Sequence, residues 1–233
     1  MIGKQKWTAL YILVILGVLA AAQLASRTVT VMAEREPVKR QHCIVIDAGH
    51  GGEDGGAVSC TGKCESGYNL AIACRLNDLM NLLGYDTRMI RTEDTAVYTK
   101  GETIAQKKAS DLKERVRIVN ETEGALLLSI HQNHFPDSRY SGAQVFYSRN
   151  PGSDVLAKAL QDAFVATLNP GSNRKSKPSS GVYLMEHIQC TGVLIECGFL
   201  SNPEEERKLG RPDYQKKLCA VIAATAAGYL SNT

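Results

Sequence analysis

Residues 43–52 read CIVIDAGHGG, and the passage from four apolar residues into Asp47, His50 and three glycines decides the fold. Cys43-Ile44-Val45-Ile46 is a short apolar run closed by a glycine-rich loop, the pattern of a strand covered on both faces. The same alternation recurs along the rest of the chain. Ile72, Leu76, Leu79 and Leu83 return at helical spacing, and Gly84 ends that helix. Tyr85 to Arg91 alternates as a strand, Leu112, Val116 and Val119 mark a helix, and Ala125 to Ile130 is a second wholly apolar strand. Ser141 to Ser148 reads as a further, more edge-like strand. Ser153 is placed to cap an amphipathic helix carrying Leu156, Leu160 and Phe164. Val193-Leu194-Ile195 is a last buried strand, and Tyr214 to Leu230 is the closing helix. Strands alternating with helices predict an α/β fold with a largely parallel central sheet.

Composition narrows the class. A chain of 233 residues with 44% hydrophobic and 22% charged residues is an ordinary globular protein, which excludes disorder and coiled coil. The net charge is only +3, and Lys4 and Lys6 account for two of those charges, so a polybasic nucleic-acid binder is excluded on charge. No charge occurs between Lys6 and Arg27. Two lysines before an apolar stretch long enough to span a bilayer predict an export signal or a membrane anchor. Residues 1–25 are therefore expected to be the signal or anchor, 26–41 a polar linker, and 42–231 one domain delivered outside the cytoplasm. Seven cysteines in an exported chain leave at least one unpaired. Cys43, Cys74 and Cys219 fall among apolar neighbours and are expected to pack as small hydrophobes. Cys60 and Cys64 lie in the glycine-rich loop, either bridged or free.

The polar residues that follow the buried strands carry the chemistry. The first strand runs into Asp47-Ala48-Gly49-His50, the second into His131-Gln132-Asn133 and the third into Glu196. In open α/β sheets, ligands bind beyond the carboxyl ends of the strands. Glu65 opens the long helix after the glycine-rich loop, where an acidic side chain also suits the helix dipole. Two histidines and one carboxylate with an open fourth position form the ligand set of catalytic zinc hydrolases. That chemistry needs a further carboxylate outside the metal shell to take the proton of water. His50, Glu65 and His131 fit the ligand roles and Glu196 fits the base. His134 falls in a loop ending at Pro136 and is not expected to be a ligand. His42, His187, Glu93 and Asp94 read as ordinary surface residues.

The segments IVIDAGHGGEDGGAV, SIHQN and LIECGFLSNPEE resemble, in order, those of the zinc-dependent N-acetylmuramoyl-L-alanine amidases of bacterial cell walls. The resemblance runs from about Cys43 to Tyr229. It implies a single domain with a central, mostly parallel sheet of about six strands flanked by helices. It also implies one zinc ion per chain, held by His50, Glu65 and His131, with Glu196 as the catalytic carboxylate. The reaction implied is cleavage of the amide between the lactyl group of N-acetylmuramic acid and L-alanine in peptidoglycan. RKSKPSSGVYLM, SGAQVFYSRNP and KASDLKERVRIVN are similar to the branch that prepares spore-cortex peptidoglycan for muramic δ-lactam formation. One departure stands out. The family usually has Lys-Asp after this glutamate, whereas Ser66-Gly67 follow Glu65. That is expected to loosen the third ligand, so that an envelope accessory protein would aid zinc binding. Two rival classes share the pattern: a non-catalytic wall-binding protein of this fold, and a related zinc peptidase requiring an arginine for a terminal carboxylate, for which Arg139 and Arg174 are available.

Overall fold

β1 (Cys43–Ala48) shows why the sheet is buried on both sides. Successive side chains of a strand point to opposite faces. Ile44, Ile46 and Ala48 enter one core with residues of α1 (Glu65–Leu82), α3 (Ser153–Thr167) and α6 (Pro212–Leu230). Val45 enters a second core on the other face with residues of α2 (Ile104–Asn120) and α4 (Tyr183–His187). Both flanks therefore require apolar strands, which explains the near-continuous hydrophobic runs. The computed structural model describes residues 42–232; the expected signal or anchor and its linker lie outside the described residues. Among the described residues no helix is long and apolar enough to cross a membrane.

The other strands are β2 (Asp86–Met89), β3 (Ala125–Asn133), β4 (Gln144–Tyr147), β5 (Lys177–Pro178) and β6 (Thr191–Phe199), in the order β2-β1-β3-β6-β4-β5. β2, β1, β3 and β6 are mutually parallel, and β4 is antiparallel to β6. The sheet is thus mixed but mostly parallel, with six strands among the described residues, as expected. β4 is not an edge, because the two-residue β5 pairs with it. Ser153 is not the N-cap of α3. Gly152 takes that place at φ 79°, and Ser153 Oγ instead accepts from Gly192 N (3.0 Å), tying the helix to β6. Cys219 is buried as expected, whereas Cys43 and Cys74 are only partly covered; Cys60 and Cys64 are free thiols. A short helix, α5 (Pro203–Leu209), follows β6.

Candidate metal centre

β1, β3 and β6 lie side by side and parallel, so their carboxyl ends open on one edge of the sheet. His131 stands opposite Glu196 in the β3–β6 register, and the register then shifts before Asn133 pairs with Phe199. Such a bulge re-aims side chains at the end of a ladder. His50 lies two residues past β1, and Glu65 is the first residue of α1. Ligand atoms of His50, Glu65 and His131 fall within 4.8 Å of one another. His50 Nε2 is 3.4 Å from Glu65 Oε2, and His131 Nδ1 is 3.0 Å from Glu65 Oε1. The two imidazoles cross edge to face, with centroids 5.0 Å apart.

Backbone constraints produce this convergence. His50 is the one non-glycine residue with positive φ (61°) among the described residues, a conformation that costs of order 1 kcal/mol or more unless its surroundings enforce it. Two buried arginines do so. Arg91 donates to Ala48 O (2.8 Å) and Gly49 O (3.1 Å), and Arg115 donates to Ala48 O (2.9 Å) and His50 O (2.7 Å). Arg115 is in turn paired with Asp47 (2.5 Å) and Asp111 (2.6 Å). Asp54 Oδ2 lies 3.0 Å from His50 Nδ1 and 3.1 Å from Lys108 Nζ. With Nδ1 as the donor, Nε2 keeps its lone pair for a cation. Two glycines make room. A Cβ on Gly49 would sit 2.2 Å from the His131 ring, and one on Gly56 would sit 2.7 Å from both Glu65 Oε2 and His50 Cδ2.

Glu65 is held firmly. It accepts from Ala57 N (3.0 Å), Asn69 Nδ2 (3.1 Å) and Gln132 N (3.0 Å) as well as facing His131. Burial alone would raise its carboxyl, but the His131 hydrogen bond and the two imidazole charges bring it down to about 2. The expectation that Ser66-Gly67 would leave this ligand loose is therefore corrected. Ser66 N donates to Gly55 O (3.0 Å) and its carbonyl accepts from Arg91 (2.9 Å), so backbone contacts replace the missing charged pair. Glu196 lies in the opposite environment: its Oε2 is buried without a hydrogen-bond partner. Burial pushes its carboxyl up to about 7, with the Glu65 charge adding to the rise and His131 opposing it. Two imidazoles, one ionised carboxylate and cleared space suit a divalent cation of intermediate softness, and a proton-accepting carboxyl stands beside them.

The structure thus brings together all four residues singled out in the sequence. His134 and His187 are exposed, as are Glu93 and Asp94, although Asp94 Oδ1 accepts from Gly52 N at 3.3 Å. Sequence reasoning missed Asp54, Asn69, Arg91, Arg115 and Gln132, which position His50 and Glu65. Only Asp54, four residues after His50 in the glycine-rich loop, offered a local signal.

The model of the N-acetylmuramoyl-L-alanine amidase family matches residues 44–227. The chain belongs to this amidase family. Among curated relatives of this amidase, the germination-specific N-acetylmuramoyl-L-alanine amidase of Bacillus subtilis (strain 168) is 41% identical over 182 residues, covering 77% of this chain and 76% of the relative. The N-acetylmuramoyl-L-alanine amidase AmiA of Escherichia coli (strain K12) is 27% identical over 230 residues, covering 80% and 75%. Among solved structures, the CwlD amidase from Clostridioides difficile, in complex with the GerS lipoprotein, superposes with a TM-score of 0.79 at 35% identity. It covers 82% of this amidase and 100% of that chain.

Proposed function

We propose that the chain is a zinc-dependent N-acetylmuramoyl-L-alanine amidase of peptidoglycan, with one zinc ion per chain on His50, Glu65 and His131 and Glu196 as the catalytic carboxylate. The observation that carries this reading is the convergence of those three ligand atoms beside the buried, partnerless Oε2 of Glu196. When bound, zinc supplies Lewis acidity for the lactyl carbonyl and for a water molecule. The chain's own residues do the rest. Glu65, depressed to about 2, stays ionised as a ligand, whereas Glu196, raised to about 7, can take and return a proton near neutrality. Water oxygen adds to the lactyl carbonyl carbon as its proton passes to Glu196. The C–N bond to L-alanine then breaks, and the same proton goes to the departing amine nitrogen. His131 Nδ1 already faces Glu65 Oε1 at 3.0 Å, so these two ligands converge on one place before any cation is held.

Glu196→Gln is expected to lower turnover on muropeptides by about 10²-fold or more while leaving zinc content intact. Loss of zinc with activity restored on reconstitution would instead exchange the roles of Glu196 and Glu65. A non-catalytic wall-binding protein would be expected to lack a ligand or the base, and all four are present. The peptidase reading is disfavoured because both arginines are engaged: Arg139 with Asp137, and Arg174 with Ser141 O and Gln144 Oε1.

The same reading places the domain, residues 42–231, outside the cytoplasm behind a signal or anchor (1–25) and a linker (26–41). Its substrate is spore-cortex peptidoglycan, at the step before δ-lactam formation. The germination-specific relative supports the cortex role. The lipoprotein complex of the CwlD amidase supports an envelope accessory protein. Because Glu65 is already held by its own chain, such a partner would aid zinc binding through the loop that carries His50 and Asp54.

A further inference from the structure

The β3–β4 connection leaves the sheet at its catalytic edge: β3 carries His131, and β4 returns with Gln144 paired to Glu196. Phe135 and Tyr140 on this connection are 45% and 46% exposed. They are nevertheless held in place. Their rings meet edge to face with centroids 4.7 Å apart, and Tyr140 tilts over Phe199 at 6.2 Å. The Arg174 guanidinium lies 4.9 Å from the centroid of Phe199, anchored in turn on Ser141 O (3.0 Å) and Gln144 Oε1 (3.3 Å). Backbone contacts fix the loop: Phe135 N donates to Ser201 Oγ (3.1 Å), and Asn202 Nδ2 donates to Tyr140 O (3.3 Å). Asn133 pairs with Phe199 just past the His131–Glu196 rung, so the buried ring of this cluster lies two residues along β3 and three along β6 beyond that rung.

Burying Phe199 accounts for one ring of the cluster but not for two open ones. Exposed, contiguous and rigid apolar surface beside a polar site marks a place where something docks. The proposed reaction, on which this inference rests, requires a sugar within a few ångströms of the reacting carbonyl, because the lactyl group is borne on the muramyl ring. The C–H face of a pyranose is apolar with slightly positive hydrogens, and the face of an aromatic ring is slightly negative, so the two stack while the sugar hydroxyls remain in water. The stem peptide is rich in carboxylates and gains little from such a surface. We propose that Phe135 and Tyr140 form a stacking platform for a sugar ring of the glycan strand, which makes them specificity-determining residues on the saccharide side of the scissile amide.

Two substrates with the same lactyl–L-alanine amide test this: a soluble disaccharide-peptide and a lactyl-peptide lacking the sugar. The double variant Phe135→Ala, Tyr140→Ala is expected to lower the ratio of kcat/KM for the first over the second by about tenfold, mainly through KM. Phe135→Trp and Tyr140→Phe, which keep flat rings, are expected to restore the ratio. Binding of the zinc-loaded protein to glycan strands stripped of peptide is expected to weaken in the double variant by a similar factor. Equal losses on both substrates, or unchanged binding to stripped glycan, would overturn the platform; the second result would leave the rings for a protein partner. If the unsubstituted protein cleaves neither substrate, the amidase reading fails by itself, and the stripped-glycan comparison still decides the platform.

Discussion

His50 shows how a ligand is set by groups that never touch the metal. Its left-handed backbone aims the ring across the sheet edge, and two guanidiniums hold the three consecutive carbonyls of residues 48–50 in that turn. The side chain is then fixed by one carboxylate, Asp54, which is itself held by Lys108 from α2. Partners of this kind orient an imidazole and raise its basicity, and losing one typically costs 10–100-fold in metal affinity. Asp54→Ala is therefore expected to weaken zinc binding at least about tenfold in competition with a chromophoric chelator. Lys108→Ala should have a smaller effect, since His50 and Asp54 would still be in contact. Unchanged affinity in Asp54→Ala would show that the arginine-braced turn alone aims His50.

At the scale of elements, α5 does more than link β6 to α6. Its Glu206 is buried and accepts from Ser59 Oγ (3.2 Å), Tyr68 Oη (2.7 Å) and the Thr61 hydroxyl. It thereby clamps both sides of Glu65: the hairpin before it and the first turn of α1 after it. Glu206→Ala would leave the Tyr68 hydroxyl buried without its acceptor, a loss of about 1–3 kcal/mol. The expected result is a lower Tm and faster proteolytic nicking within residues 59–63. Addition of Tyr68→Phe should recover part of the Tm but not the resistance to nicking. An unchanged cleavage rate would show that the loop is ordered by its backbone bonds alone. The buried strands were legible in the sequence as short unbroken apolar runs, and the long helices by their helical spacing. β5 was not legible, since two residues have no period and pair only because β4 offers them a free edge. The four site residues were legible for a related reason: three of them terminate apolar strands, where a polar residue has no packing role. Arg91 and Arg115 were not, because a charged residue near a strand end or on an amphipathic helix reads as solvated until the fold brings it against carbonyls.

Across the whole molecule, Asp47 is the charge on which several elements depend. It is fully covered within β1, accepts from Ser129 Oγ of β3 (2.6 Å) and pairs with Arg115 of α2, so one carboxylate joins two strands to a helix beneath the metal centre. Burial pushes its carboxyl up, but the Arg115 charge, the His131 charge and the Ser129 bond more than offset this and leave it below the ordinary aspartate value. A carboxyl depressed in the folded state adds stability above its unfolded pKa, near pH 4, and that contribution is lost as pH falls through the folded value. Asp47→Asn at pH 7 leaves Arg115 buried with Asp111 as its remaining carboxylate partner. Breaking a buried pair in this way is expected to cost roughly 3–5 kcal/mol. Urea unfolding of both proteins in the presence of a chelator keeps metal release out of the comparison. Groups that titrate equally in both proteins cancel in their difference, so that difference isolates Asp47. It should be largest at pH 7 and shrink as pH falls below about 4, where the unfolded carboxyl takes up a proton that the folded one, held lower by Arg115, does not. A gap of the same size at pH 7 and pH 3 would mean that Asp47 acts through shape and hydrogen bonding, with its charge contributing nothing to acid stability.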